Sequence, residues 1–150
     1  FDEHISLMDL PCVLNVTKEE AFNGNEPYIT SHPLLKREWE NNVGNACTDG
    51  KKLNIGVCWK GSSSHANDHN RSMSMHDITP LAESGTLFGL MKEVDEKAPD
   101  GLTIYNVSAG FVTAEHTAAF VDTLDVIVTV DSFIAHLAGA MGKKVYLLLP

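Results

Sequence analysis

The stretch VTVDSFIAHLAGAMGKKVYLLLP, residues 128–150, holds two apolar runs on either side of a segment rich in small residues. The first run, which begins as DVIVTV at 125–130, is nearly continuous in apolar residues, as is typical of a strand buried on both faces of a sheet. Residues 132–142 have helical spacing and end at Gly142, and KVYLLL at 144–149 is a second strand. Strand, helix and strand in succession predict a parallel βαβ unit.

The chain before this stretch alternates in the same way from residue 53 onwards. Strand-like and helix-like segments follow one another, each with the apolar spacing of its type. The predicted strands are 53–59, 86–91 and 102–107, and the predicted helices are 75–84 and 113–124, the latter capped by Thr113. We therefore expect an α/β fold, in which residues 51–150 form a Rossmann-like parallel sheet with helices on both faces.

Residues 1–50 are less regular and form an irregular or helical segment before the sheet. A short helical turn is predicted to begin at Thr17, which has a Glu three residues later. The stretch SHPLLKREWENNVG at 31–44 predicts a longer helix, with Pro33 in its first turn and Gly44 as its stop.

The composition restricts the class of protein. Hydrophobic residues make up 43% of the 150 residues, enough for a packed core. A net charge of -9 without a long basic run argues against nucleic acid as a partner. The sequence shows no signal peptide and no apolar run near the ~20 residues of a membrane span. Cys12, Cys47 and Cys58 form no C-x-x-C pair, which indicates free thiols in a reducing cytoplasm.

The loop WKGSSSHANDHNRS at 59–72 follows the first predicted strand and so lies at the carboxyl edge of the sheet, where parallel sheets bind ligands. Gly61 permits close approach of the backbone, and a serine run from Ser62 supplies hydroxyl donors. Lys60 and Arg71 supply positive charge. Amides, hydroxyls and two cations together suit a phosphate or pyrophosphate. A plain solvated loop fits the composition equally well.

The same loop carries a metal-site alternative. His65, Asp68 and His69 lie at positions i, i+3 and i+4, and could share one face of a helix. Asn and Asp residues crowd this stretch and favour turns over a helix, so we expect no metal there.

A second polar group follows the strand at 125–130. Asp131 or Ser132 could cap the next helix, or could contact a ligand at its N-terminus. His136 lies one turn further on, and a lone His in an apolar helix is more often a core residue than a ligand contact. Its helix is rich in Ala and Gly, which allows close approach of a sheet or a ligand.

Two stretches resemble one enzyme family. IGVCWKGSSSHANDHNRSMSM at 55–75 and LDVIVTVDSFIAHLAGAMGKKVYLLLP at 124–150 are similar to the second half of heptosyltransferase-type glycosyltransferases of family 9, often fused to tetratricopeptide repeats. The shared elements are W-x-G, a polar stretch with His and Asp, R-S, and then D-[TS]-x-x-x-H-L-A-G-A.

The resemblance implies the GT-B architecture, with two Rossmann-like domains facing across a cleft. Residues 1–50 would be the tail of the acceptor domain and the inter-domain linker, and 51–150 a donor-binding domain truncated at its C-terminal end. The donor would be a UDP-, ADP- or GDP-linked sugar, and the acceptor a glycan or a protein held by the other domain, which would also supply the base. No cofactor or metal is expected, and the location would be cytoplasmic.

The resemblance also implies which residues bind the nucleotide sugar. They are Lys60, Gly61, Ser62, His65, Asp68, Arg71, Ser72, Asp131, Ser132 and His136. Two alternatives share this site: an inactive sugar-nucleotide-binding module, and a GT-B sugar-nucleotide epimerase.

Overall fold

The computed structural model describes residues 4–6, 9–17, 27–46, 53–62, 66–91 and 96–149. The strands in this part of the chain are β1 Leu53–Cys58, β2 Gly85–Gly89, β3 Ile104–Asn106, β4 Val126–Val130 and β5 Val145–Leu148. They form one sheet in the order β3-β2-β1-β4-β5, and every neighbouring pair is parallel. The predicted α/β fold with a Rossmann-like parallel sheet is confirmed.

The described helices surround these strands in sequence. The α-helices are α1 Leu10–Val13, α2 Pro33–Ala46, α3 Asp68–Arg71, α4 Ala114–Asp122 and α5 Phe133–Ala140, with 3₁₀ helices at Met75–Glu83 and Ser108–Gly110. The helix predicted at 75–84 is thus of the 3₁₀ type. It contains Pro80, which cannot donate a backbone hydrogen bond within a helix.

The centre of the sheet is buried on both of its faces. All five residues of β4 are buried, and so are the last four of β1. Because successive side chains of a strand point to opposite faces, both faces must be covered at these strands. The continuous apolar run at 125–130 therefore predicted the burial of β4 correctly.

Local signals set most of the helix ends. The Thr113 hydroxyl accepts a hydrogen bond from the His116 amide, which confirms it as the cap of α4. Gly142 has φ +69° and ends α5 as predicted, because this left-handed conformation is easy only for glycine.

The predicted stop of the longer helix at Gly44 is wrong. Gly44 does not adopt the positive φ that would end a helix, so the backbone stays helical there. Helix α2 therefore continues to Ala46. Its first residue is Pro33, as expected. The turn predicted from Thr17 falls on residues outside the described part of the chain.

Residues 27–46 pack against the sheet unit. The Trp39 ring of α2 lies with its centroid 4.9 Å from that of Phe120 and 6.0 Å from that of Phe111. The amides of Tyr28 and Ile29 both donate to the carbonyl of Ala140 at the end of α5. Within the described residues, the segment before the sheet is therefore packed on it at two places.

Candidate functional site

The strand order reverses between β1 and β4. The chain passes from β1 outwards to β2 and β3, and it then places β4 and β5 on the other side of β1. In open parallel sheets, ligands bind outside the carboxyl ends of the strands at this reversal. The residues that follow these two ends are Trp59 and Asp131, so the two polar loops predicted from the sequence flank the reversal. We call the space between them the switch crevice.

Arg71 joins the two loops. Its Nη1 donates to the backbone carbonyl of Asp131 at 3.0 Å, and its Nε bonds the Asp68 carboxylate at 3.1 Å. Its Nη2 lies 3.5 Å from the carbonyl of Ser62. The side chain is only 17% exposed, so the guanidinium acts as a bridge between the loops.

A chain of hydrogen bonds shapes the loop after β1. The Gly61 amide donates to Ser72 Oγ at 3.0 Å, and Ser72 Oγ donates to Asp68 at 2.9 Å. A Cβ on Gly61 would overlap the guanidinium of Arg71, so any other residue there would force the Arg71 side chain to move. The four predicted binding residues Gly61, Asp68, Arg71 and Ser72 thus contact one another within this loop. The hydrogen bond from Arg71 to Asp131 is their link to the other loop.

Ser132 is not a side-chain cap. It occupies the N-cap position of α5, but among the described residues no side chain caps this helix. Its hydroxyl lies instead 3.0 Å from Thr129 Oγ1 and 3.7 Å from Cys58 Sγ, directed towards the strand ends. Of the two alternatives for Ser132, capping is therefore wrong, because its hydroxyl contacts Thr129 and Cys58.

The side chains of Asp131 and His136 lie at the surface of the crevice. His136 is 82% exposed, so it is not the core histidine that the sequence left as the alternative to a ligand contact. Its Nε2 lies 3.9 Å from a carboxylate oxygen of Asp131, which is 61% exposed. The next two residues of the helix, Leu137 and Ala138, take the buried positions instead.

Lys60 forms an ion pair on the β1 side of the crevice. Its Nζ lies 3.3 Å from a carboxylate oxygen of Glu96, which also accepts hydrogen bonds from the Trp59 indole and the Met75 amide. Burial by itself would raise the pKa of Glu96, but the hydrogen bonds from Trp59 and Lys60 outweigh it and hold that pKa below its usual value.

No sequence motif pointed to Glu96 or Cys58 as members of the site. Glu96 belongs to no motif, and only the fold brings it to Lys60 and Trp59. Cys58 ends β1 beneath the crevice, and burial raises the pKa of its thiol. For the contacts of Ser132 there was one sequence signal: Thr129, a polar residue within an otherwise apolar strand.

The metal alternative gains no geometric support in the described part of the chain. No group of three His, Cys, Asp or Glu side chains there is placed to hold a metal ion. His65, which is both a proposed ligand-binding residue and a member of the alternative metal set, lies outside the described residues. Asp68 is engaged by Arg71 and Ser72.

The last two findings concern membrane-spanning helices among the described residues and similarity to known proteins. None of the described helices combines the length and the apolar character needed to cross a membrane. Comparisons with protein families, with curated proteins and with solved structures found no significant match.

Proposed function

We propose that this chain is the donor-binding part of a glycosyltransferase, which transfers a sugar from a nucleoside-diphosphate sugar to a hydroxyl of a glycan or a protein. The observation that carries the proposal is the meeting of the two polar loops at the switch crevice, where Arg71 bonds the Asp131 carbonyl at 3.0 Å. The resemblance of both loops to heptosyltransferase-type enzymes supports the same class of substrate.

The N-terminus of α5 is the proposed place for the diphosphate. Among the described residues no side chain caps this helix, so its first amides can donate to phosphate oxygens. The helix dipole favours an anion there. Lys60, half-exposed at the opposite loop, would add a positive charge.

Asp131 and His136 are the proposed contacts of the sugar. A carboxylate repels phosphate but accepts hydrogen bonds from sugar hydroxyls, and an exposed imidazole can donate or accept. Both groups lie on the same side of the α5 N-terminus, 3.9 Å apart. A sugar attached to the second phosphate could therefore reach them.

In this proposal the chain acts on the leaving group. As the bond from the sugar to the diphosphate breaks, the amides of α5 and Lys60 would stabilise the negative charge that develops on the phosphate oxygen. The base that takes the proton of the acceptor hydroxyl would come from the facing domain. No metal is required for these roles.

Calorimetry of the 150-residue chain against UDP, ADP and GDP, each with and without EDTA, tests the proposal. We expect binding of at least one nucleotide, with no change on adding EDTA. Lys60→Met should weaken it about tenfold through the loss of one charge, whereas Lys144→Met, before the amino end of β5, should not. Absence of binding by all three nucleotides to folded protein would refute the proposal.

An inactive binding module would bind the same nucleotides. An activity assay on the chain joined to an acceptor domain distinguishes a transferase from an inactive module. A transferase would transfer or hydrolyse the sugar, and an inactive module would do neither. An epimerase would instead change the donor sugar without an acceptor.

A further inference from the structure

Glu96 is the centre of a hydrogen-bonded cluster beside the switch crevice. One carboxylate oxygen, Oε2, accepts from Trp59 Nε1 at 3.1 Å and from the Met75 amide at 3.2 Å, and lies 3.3 Å from Lys60 Nζ. Three donors thus converge on a single oxygen.

These three donors differ in how firmly they are held. Trp59 is 1% exposed and Met75 is 4% exposed, so the indole and the amide are fixed in the core. The Lys60 side chain is 39% exposed and has a flexible four-carbon stem. Of the partners that Glu96 has among the described residues, Lys60 is therefore the one that can leave without disturbing the core.

We propose that Glu96 is an internal counter-ion for Lys60, which holds the ammonium group beside the crevice and releases it to an incoming anion. This role rests on the proposed function, because the anion in question is the diphosphate of the nucleotide sugar. Glu96 is in this sense a positioning residue that acts through Lys60.

The exchange follows from simple electrostatics. A partly exposed ion pair with a single carboxylate is weak, whereas a diphosphate offers more charge and more acceptor oxygens. When Lys60 turns to the phosphate, Glu96 keeps its bonds from Trp59 and Met75 and is not left without partners.

The competition lowers the affinity of the site for anions in general. Every anion that uses Lys60 must displace Glu96, so Glu96 weakens the binding of all of them by a similar factor. Only an anion with enough charge to repay this cost is expected to bind well. Pyrophosphate, which carries more charge than sulfate or a single carboxylate, is attracted more strongly to Lys60 and is therefore the preferred probe.

The test is calorimetry with inorganic pyrophosphate on the 150-residue chain and on Glu96→Gln. Glutamine keeps an oxygen for Trp59 and Met75 but lacks the charge that holds Lys60. We expect pyrophosphate to bind about three- to tenfold more tightly to Glu96→Gln. The matched control is Glu83→Gln, which removes the same charge just before the amino end of β2 and should leave binding unchanged.

A double variant separates action through Lys60 from a general field effect. In a Lys60→Met background, the gain from Glu96→Gln should largely disappear. An equal gain in both backgrounds, or no gain in the single variant, would overturn the inference. Should Glu96→Gln not fold, Glu96→Asp gives the same test, since the shorter side chain holds Lys60 less well and should also bind pyrophosphate more tightly.

The outcomes also separate this inference from the proposed function. If Glu96→Gln binds pyrophosphate more tightly through Lys60 but no nucleoside diphosphate binds any variant, the counter-ion role stands and the glycosyltransferase proposal falls. If nucleotides bind but Glu96→Gln leaves the affinity for pyrophosphate unchanged, the counter-ion role falls and the glycosyltransferase proposal stands. If pyrophosphate binds none of the variants, the counter-ion role is overturned.

Discussion

Arg71 has a structural role as a bridge between the two loops, and the proposed function would add a binding role to it. Its sequence position in the R-S pair suggested a phosphate contact, and the structure shows three of its nitrogens directed at Asp68, Asp131 and Ser62. A ligand would therefore meet a guanidinium that is already oriented by the protein. Such a fixed group loses little conformational entropy on binding.

Replacement of Arg71 should affect both roles. Arg71→Ala removes hydrogen bonds to a carboxylate and to the Asp131 carbonyl, and we expect it to lower the free energy of unfolding by about 1–3 kcal/mol. Binding of nucleoside diphosphate should fall more than binding of the nucleoside. Urea denaturation and calorimetry measure the two effects, and equal loss for both ligands would place Arg71 outside the phosphate site.

Gly61 offers an indirect test of the same bridge. The added methyl of Gly61→Ala would overlap the guanidinium of Arg71 and push it from Asp131. We expect a loss of about 1–2 kcal/mol in the free energy of unfolding, measured by urea denaturation.

The matched control for Gly61→Ala is Gly44→Ala. No described atom outside its own helix and chain neighbours lies within 4 Å of the added Cβ, and Ala is the better helix former by about 1 kcal/mol. The control should therefore be neutral or stabilising. If Gly61→Ala were as stable as the parent protein, the bridge formed by Arg71 would not depend on the absence of a side chain at position 61.

At the scale of elements, an aromatic cluster packs α2 against the sheet unit. Trp39 contacts Phe111 and Phe120, and Phe120 in turn packs against Phe88 of β2 with ring centroids 5.6 Å apart. The cluster links a helix from the less regular first third of the chain to the middle of the sheet.

Trp39→Ala should therefore destabilise the whole unit and not α2 alone. We expect a loss of about 2–4 kcal/mol, because the ring leaves a cavity against two aromatic partners. Trp39→Phe should recover part of it. A single cooperative transition at lower denaturant concentration would support this, whereas loss of helical signal with an unchanged main transition would show that α2 is independent.

At the scale of the whole molecule, Asp122 connects three separate parts of the chain. Its carboxylate accepts a 2.6 Å hydrogen bond from Ser31 and pairs with Lys36 at 3.0 Å, and its backbone carbonyl accepts from Lys143. Burial alone would raise the pKa of Asp122, but the hydrogen bonds from Ser31 and Lys36 outweigh it and hold that pKa below its usual value.

The lowered pKa of Asp122 predicts a dependence of stability on pH. A carboxyl group with a lower pKa in the folded state contributes fully above its unfolded value, about 4, and the contribution is lost as the pH falls through the folded pKa. Asp122→Asn should lower the free energy of unfolding by about 1–2 kcal/mol at pH 7. Denaturation at pH 7, 5 and 3 should show this difference shrinking only below about pH 4, and a constant difference would contradict it.

Much of the fold could be predicted from the sequence because its signals are local. Strand β4 is apolar at four of its five positions, Thr113 caps α4, and Gly142 ends α5 by adopting a conformation that other residues avoid. The Gly44 prediction failed because a glycine permits a helix end without requiring one. The two loops of the crevice were also identified, since each follows a strand that the sequence marks clearly.

Local patterns along the chain were therefore enough to predict the class of fold and the two polar loops at the carboxyl edge of the sheet. The tertiary structure decided what each loop residue contacts: Arg71 bridges to Asp131, Ser132 faces Thr129, and Lys60 pairs with Glu96. The physical reason is that strand and helix signals depend on neighbours within a few residues. Several contacts of the site join residues far apart in the chain, 60 positions for Arg71 and Asp131 and 74 for Cys58 and Ser132, and only the packed sheet sets their distances.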